Sequence, residues 1–186
     1  MTSEREAELQ AVRLGKVEVH GKPIELVEYD PAWPRVYERE AEKIRAALGE
    51  RVLGLEHAGS TSVPGLAAKP IIDIVLTVAD SANEDAYVPP LEAAGYVLTI
   101  REPDWHEHRA LKGTDPRVNL HVFSDGCAEI ARMTAFCDRL RTNPADRDLY
   151  ERTKRDLARR TWTYIQDYAD AKGEVVEDII GRAEFA

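Results

Sequence analysis

Two cysteines, two methionines and no apolar run approaching the roughly 20 residues that span a bilayer are what this 186-residue chain has least of. No signal-peptide pattern marks the Glu-rich N-terminus, so the expectation is a cytoplasmic protein without a membrane partner. Cys127 and Cys137 fall ten residues apart on one expected helix. They cannot bridge there, because the helical rise separates them by about 15 Å. Neither CxxC nor zinc-type spacing is present, which leaves free thiols in a reducing compartment. A basic surplus is also missing. Lys and Arg number 25 against 34 Asp and Glu, a net charge of −9, which argues against generic nucleic-acid binding. The arginines between Arg139 and Arg160 alternate with Asp146, Asp148, Glu151 and Asp156 and read as a solvated helix face. No repeat or low-complexity segment is visible.

The length suits one core, with mixed elements first and helices last. Ser3 and Glu6 form a capping box for a short helix ended by Gly15. Val17 to His20 and Ile24 to Glu28 flank His20-Gly21-Lys22-Pro23 as a small hairpin. Asp30 caps a helix with Pro31 at its first position, and Trp33, Val36, Tyr37, Ala41, Ile44 and Leu48 form its apolar stripe up to Gly49. Strands are expected at Arg51–His57, Ile71–Val78, Tyr96–Arg101, Trp105–Lys112 and Val118–Phe123, with a helix around Pro89–Ala94. Helices follow over Cys127–Arg141, from Asn143-Pro144 to Ala171, and after Gly173. The pattern is an α+β sheet with a C-terminal helical cap.

The stretch from His57 to Leu76, HAGSTSVPGLAAKPIIDIVL, carries the chemistry. Gly59-Ser60 makes a turn that lets backbone amides and a hydroxyl approach an anion. Asp73 is the only charged residue in the apolar run Ile71–Ala79, and a carboxylate there must be hydrogen-bonded, paired or metal-bound. Its structural alternative is a pairing with Lys69 or with loop amides. Lys69 itself reads equally as a phosphate contact or a solvated loop lysine.

Gly59-Ser60, followed by Asp73 in an apolar strand, resembles the start of the nucleotidyltransferase signature. More narrowly, the chain resembles the GrpB-like family. The matching pieces are Ile24-Glu25-Leu26-Val27, Tyr29-Asp30-Pro31-Ala32-Trp33, Glu56 to Thr61, Val63 to Ile74 and Leu120-His121-Val122, continued by Tyr150 and Lys154. The resemblance implies a nucleotidyltransferase-like mixed sheet with flanking helices and a C-terminal helical segment. It divides the chain into an N-terminal extension, 1–23, and one domain, 24–186. It implies a nucleotide or other phosphorylated small molecule as ligand, contacted by Gly59, Ser60, Thr61, Lys69, His108 and Arg109. A divalent cation, Mg²⁺ or Mn²⁺, would be held by Asp73 and His121, the two residues also cast as catalytic for nucleotidyl transfer. The superfamily pattern wants a second acid two residues after Asp73, and here that residue is Val75. A non-catalytic binding module on the same fold therefore stays open.

The histidines give a further reading. His106 and His108 share one face of an ideal strand. A turn at Gly113–Pro116 sets His108 opposite His121, so three imidazoles gather beside Asn119. A shared ligand pocket, a histidine–metal hydrolase or lyase, and ordinary exposed strand histidines all fit that pattern. Arg109 points to the opposite face unless a bulge turns it. For Tyr150 and Lys154, an i, i+4 pair, ordinary helix packing is preferred. Oligomeric state is not legible here.

Overall fold

The computed structural model describes residues 3–184. The outermost two residues at each end, included in the expected bounds 1–23 and 24–186, lie outside the described residues. The elements run α1 (Glu4–Val12), α2 (Trp33–Leu48), β1 (Gly54–Ala58), β2 (Ile72–Val78), α3 (Val88–Ala93), β3 (Val97–Glu102), β4 (His108–Thr114), β5 (Arg117–Ser124), α4 (Ala128–Thr142), α5 (Pro144–Ala158), α6 (Ile165–Asp170) and α7 (Gly173–Glu184). The fold is α+β, as expected. One five-stranded mixed sheet has the order β1-β2-β5-β4-β3, with β2 and β5 parallel and the other pairs antiparallel.

Alternation along the strands assigns the two faces. Ile72, Ile74, Leu76 and Val78 of β2 join Leu111 of β4 and Leu120 and Val122 of β5 under Trp33, Ile44 and Leu48 of α2 and Leu91 of α3. The opposite face is divided. Ala58, Val75 and Phe123 pack beneath Cys127, Ile130 and Met133 at α4, while Asp73 opens onto a cleft that Phe136 of the same helix also lines. A second core, Val63, Leu66, Cys137, Leu140, Tyr150 and Ile179, fastens the loop after β1 to the C-terminal helices. Asp146, 6% exposed, accepts from Arg139 of α4 and Arg182 of α7 at 2.6 and 2.7 Å, so part of the expected solvated face is a buried ionic junction.

Four sequence expectations fail locally. No hairpin forms over Val17–Glu28. His20 and Gly21 donate instead to Thr163 and Trp162 carbonyls, and Val27 exchanges both bonds with Ala68. This segment is extended, but its partners are distant in sequence. The long helix expected up to Ala171 stops at Ala158, where Thr161–Thr163, β-branched and aromatic, runs extended beside Lys22. Trp105–Glu107 form a turn rather than the start of β4, with His106 and Glu107 at φ 54° and 49°. Helix α2 begins two residues later than Pro31, because the Asp30 carboxylate accepts the Ala32 amide in a local turn.

Ile74, fully buried between the site residue Asp73 and Val75, tests the assigned core face. Ile74→Ala is expected to destabilise the fold by about 2–5 kcal/mol in urea unfolding, as large core truncations do. A loss under about 1 kcal/mol would contradict this packing.

Candidate functional site

The turn after β1 is built around one close approach. Gly59 has φ 66° and ψ −174°, a region open essentially to glycine. A side chain there would place its Cβ 2.3 Å from Asp73 Oδ2. Ser60–Ser62 then form a single 3₁₀ turn, closed by Ser62 and Val63 amides donating to Gly59 and Ser60 carbonyls. The Ser60 and Thr61 amides at its start have no carbonyl acceptor among the described residues, as the geometry of a helical first turn requires. Thr61, 1% exposed, spends its hydroxyl on His57 Nε2 at 3.0 Å. Burial pushes the His57 imidazole down to about 4, and its ring stacks on Tyr37 at 4.8 Å. His57 thus supports the turn from behind as a neutral ring.

Asp73 stands on β2 beside Asn119, its register partner on β5. Asn119 Nδ2 donates to Asp73 Oδ1 at 2.8 Å, and His121 Nε2 lies 3.8 Å from the same oxygen. Burial raises the Asp73 carboxyl, but His121, Asn119 and Lys69 together hold it below the ordinary carboxylate value. Behind His121 the chain of partners continues. His121 Nδ1 meets His108 Nε2 at 3.1 Å, and His108 Nδ1 meets Glu102 Oε2 at 2.6 Å. The Glu102 carboxylate can only accept, so His108 carries its proton on Nδ1. Burial favours neutral His108, and its bare Nε2 then accepts from His121 Nδ1. This ordering keeps the His121 proton on Nδ1, so Nε2 is the nitrogen that faces Asp73: it donates to the carboxylate when the ring is charged and is bare when the ring is neutral. The neutral form is the one required of a ligand or a base.

The opposite wall comes from the C-terminal helices. Lys154 of α5 is 2% exposed and donates to Ser60 Oγ at 3.0 Å and to the Ala67 carbonyl. Burial pushes its ammonium down to about 7, assisted by Lys172 and opposed by Glu151. Lys69 falls to about 8, chiefly by burial and by Lys172. The resulting cleft of about 400 Å³ is lined by five Lys or Arg residues, Arg13, Lys69, Lys112, Lys154 and Lys172, and by one carboxylate, Asp73. None of these five cations has a carboxylate within 4.0 Å among the described residues, whereas Arg101, Arg109, Arg139, Arg141 and Arg182 all do. Unneutralised cations gathered around this turn make the cleft locally electropositive.

The expected site residues are thereby sorted. Gly59, Ser60, Thr61, Lys69, Asp73 and His121 line one cleft. His108 is 4% exposed and reaches it only through His121. His108 and His121 do share a face, but the register pairs His121 with Ala110, two residues from the expected partner. A slip of two preserves the face. His106, in its left-handed turn, does not join them. Among the described residues no group of three or more His, Cys, Asp or Glu side chains stands in metal-holding proximity, so the three-histidine arrangement is absent there. Arg109 does not line the cleft either. It sits on the α2 face, 5% exposed, and binds Glu84 at 2.5 Å. The sheet's irregularity is in β3, between Leu98 and Ile100, and so does not turn Arg109 round. Lys154 and Tyr150, read from sequence as packing, both line the cleft. Asn119, expected on the histidine face, stands there beside Asp73, whereas Lys172 and Arg13 had no sequence signal beyond their charge.

The family model described as GrpB protein matches residues 23–182. A UPF0157 protein of Halalkalibacterium halodurans is 56% identical over 182 residues, 98% of this chain and 93% of that protein. The crystal structure of a conserved protein GrpB from Enterococcus faecalis superposes with a TM-score of 0.76 at 36% identity, covering 86% of this chain and 96% of that one. A dephospho-CoA kinase of Mycolicibacterium paratuberculosis is 32% identical over 188 residues, 87% of this chain but 46% of that protein.

The contact between the turn and Asp73 gives a direct test. Gly59→Ala combines a backbone strain of about 1–3 kcal/mol with displacement of the Asp73 carboxylate. Thermal unfolding should show a clear drop in melting temperature. An unchanged melting temperature would mean that the close approach does not constrain this turn.

Proposed function

This chain belongs to the GrpB protein family, and from the chemistry of its cleft we propose that it binds a nucleotide or another phosphorylated small molecule. The observation that carries this reading is the set of uncompensated cations around Ser60 in a chain of net charge −9. In this reading the free Ser60 and Thr61 amides, the Ser60 hydroxyl and Lys154 hold the terminal phosphates, while Lys69 and Lys172 neutralise the rest. The occurrence of a similar segment within proteins named dephospho-CoA kinase is in keeping with a nucleotide-like ligand.

The donor set can hold one side of a divalent cation. Asp73 and the bare Nε2 of His121, 3.8 Å from its oxygen, supply two donors on one side. Two donors fit a cation that arrives with the phosphates and keeps waters, as Mg²⁺ does, and an imidazole suits Mn²⁺ better. Such a cation would neutralise charge on the phosphates as they reorganise. The transfer we propose is in-line: an acceptor hydroxyl forms a bond to the α-phosphorus, the bond from that phosphorus to the bridging oxygen breaks, and pyrophosphate departs. His121 takes the hydroxyl proton on Nε2, and the lysines stabilise the charge on the leaving group.

One observation favours the non-catalytic alternative. Val75, at the position of the second acid, is 2% exposed beneath α4 and does not line the cleft. Release of pyrophosphate from nucleoside triphosphates, assayed with Mg²⁺ and with Mn²⁺, separates the two: transfer requires it, and a binding module shows none.

Two further outcomes test the ligand reading. Asp73→Asn keeps an oxygen to accept from Asn119, so the melting temperature should move little, while metal-dependent ATP affinity should fall about ten-fold or more. A collapsed melting temperature with unchanged affinity would end the metal reading. The second concerns pH. Lys154 and Lys69 bind an anion when protonated, so affinity should fall as pH rises from about 7 to 9. Stability of the free protein runs the other way. Both lysines titrate lower when folded than their ordinary value of 10.5, so the unfolded chain binds more protons over that window. Their contribution to stability therefore rises with pH there. Calorimetric titration and unfolding across pH 7–9 check both signs, and an affinity that rises with pH would contradict the lysine assignment.

A further inference from the structure

A second pocket, of about 440 Å³, adjoins the first and shares Lys69, Lys112 and Asn119 with it. Lys22 and Arg117 face the second pocket alone. Both are placed by the backbone. Lys22 lies in the extended segment that bridges to Trp162, with Gly21 N donating to the Trp162 carbonyl at 2.9 Å. Arg117 opens β5, paired with Thr114 across the two-residue turn. Among the described residues, Lys22, Lys69, Lys112 and Arg117 have no carboxylate within 4.0 Å; the one acidic lining residue, Glu25, is exposed, as are Lys22, Lys112 and Arg117. The Lys112 ammonium is lowered by burial and by its cationic neighbours Arg13 and Arg117, with Glu18 opposing.

Four cations converging on a concave site, on a chain of net charge −9, are too local for a polymeric backbone and well suited to a compact dianion. The two pockets meet at Asn119, whose amide holds Asp73 Oδ1. A ligand in the second pocket therefore ends beside the carboxylate that would organise the reaction in the first.

We propose that the second pocket is the acceptor site of the same cleft, taking a small phosphomonoester held by Lys22, Lys112 and Arg117. This assignment rests on the phosphate-ligand reading of the first pocket. The acceptor's free hydroxyl points past Asn119 towards Asp73 and His121. The segment before residue 24 is then part of the binding surface, because it supplies Lys22. The two phosphate-bearing ligands are bound together, not in turn.

Calorimetric titration of inorganic phosphate into the full chain tests this, alone and after saturation with Mg²⁺ and α,β-methylene ATP, which cannot be cleaved at that bridge. Phosphate should still bind the saturated protein. Lys22→Ser with Arg117→Ser should weaken that binding by about ten-fold, as expected for lost charge-assisted bonds, and leave the analogue's affinity within about two-fold. Abolition of phosphate binding by saturation would overturn the proposal, since one ligand would then span both pockets. An unaltered phosphate affinity in the double variant would overturn it equally. Failure of the analogue to bind at all would count against the first pocket alone. Phosphate titrated into the double variant and into Lys154→Met then decides the second pocket: weakening confined to the double variant sustains it, and any other pattern overturns it.

Discussion

Lys154 is buried to 2% exposure, and its charge has no carboxylate partner within 4.0 Å among the described residues. The nearest acid on its own helix, Glu151, is committed to the Ala67 amide and to Arg155. A cation in this position costs free energy, and its neighbours Lys172 and Lys69 add to that cost. Yet its bonds to Ser60 Oγ and the Ala67 carbonyl fasten both ends of the loop between β1 and β2 to α5. The loop's conformation, the direction of the Ser60 hydroxyl and the closeness of the C-terminal helices to Asp73 all depend on that attachment. A bound anion would relieve this arrangement, since it would restore the protonated lysine and neutralise it.

The parts of this architecture legible in the sequence are those with short-range or periodic causes. β2 is nearly the expected strand because its Ile and Val run is bounded by Lys69-Pro70, and Gly59 marks its turn because no other residue tolerates that backbone so close to Asp73. The gathering of His108 with His121 is legible as a face but not as a register, since a two-residue slip leaves every side chain on its side of the sheet. The start of β4 is not legible: nothing in Trp105-His106-Glu107 announces two consecutive left-handed residues without glycine. The role of Lys154 is not legible for another reason: a lysine at helical spacing looks the same whether it faces water or a cleft, and only the packing of α5 distinguishes the two. Lys172, in the turn between α6 and α7, carries no pattern at all.

The division of one sheet face explains why Val75 is not a vacant acid position. Asp73 and Val75 share that face, as side chains two apart must. Val75 lies under Ile130 and Met133 with Phe123 and Ala58, whereas Asp73 faces the cleft. A carboxylate at Val75 would meet apolar side chains before it met the ligand. The placement of α4 thus leaves the site with one acid, and further donors must come from β5, where Asn119 and His121 already stand beside Asp73.

The imidazole chain limits what His121 can contribute. Glu102 fixes the proton of His108, and His108 in turn keeps one on His121 Nδ1, so a neutral His121 offers one lone pair, on Nε2. That lone pair can bind a cation or accept a proton, not both. A Mg²⁺ ion, which prefers oxygen donors, would leave Nε2 free as the base, whereas Mn²⁺ would compete for it. The same geometry therefore gives two divisions of labour. In the transfer proposed above, Asp73 would hold Mg²⁺ and His121 would be left to take the proton. Were the imidazole to bind the cation, the proton would have to leave through water, and the Glu102–His108 pair would serve only to orient the ring.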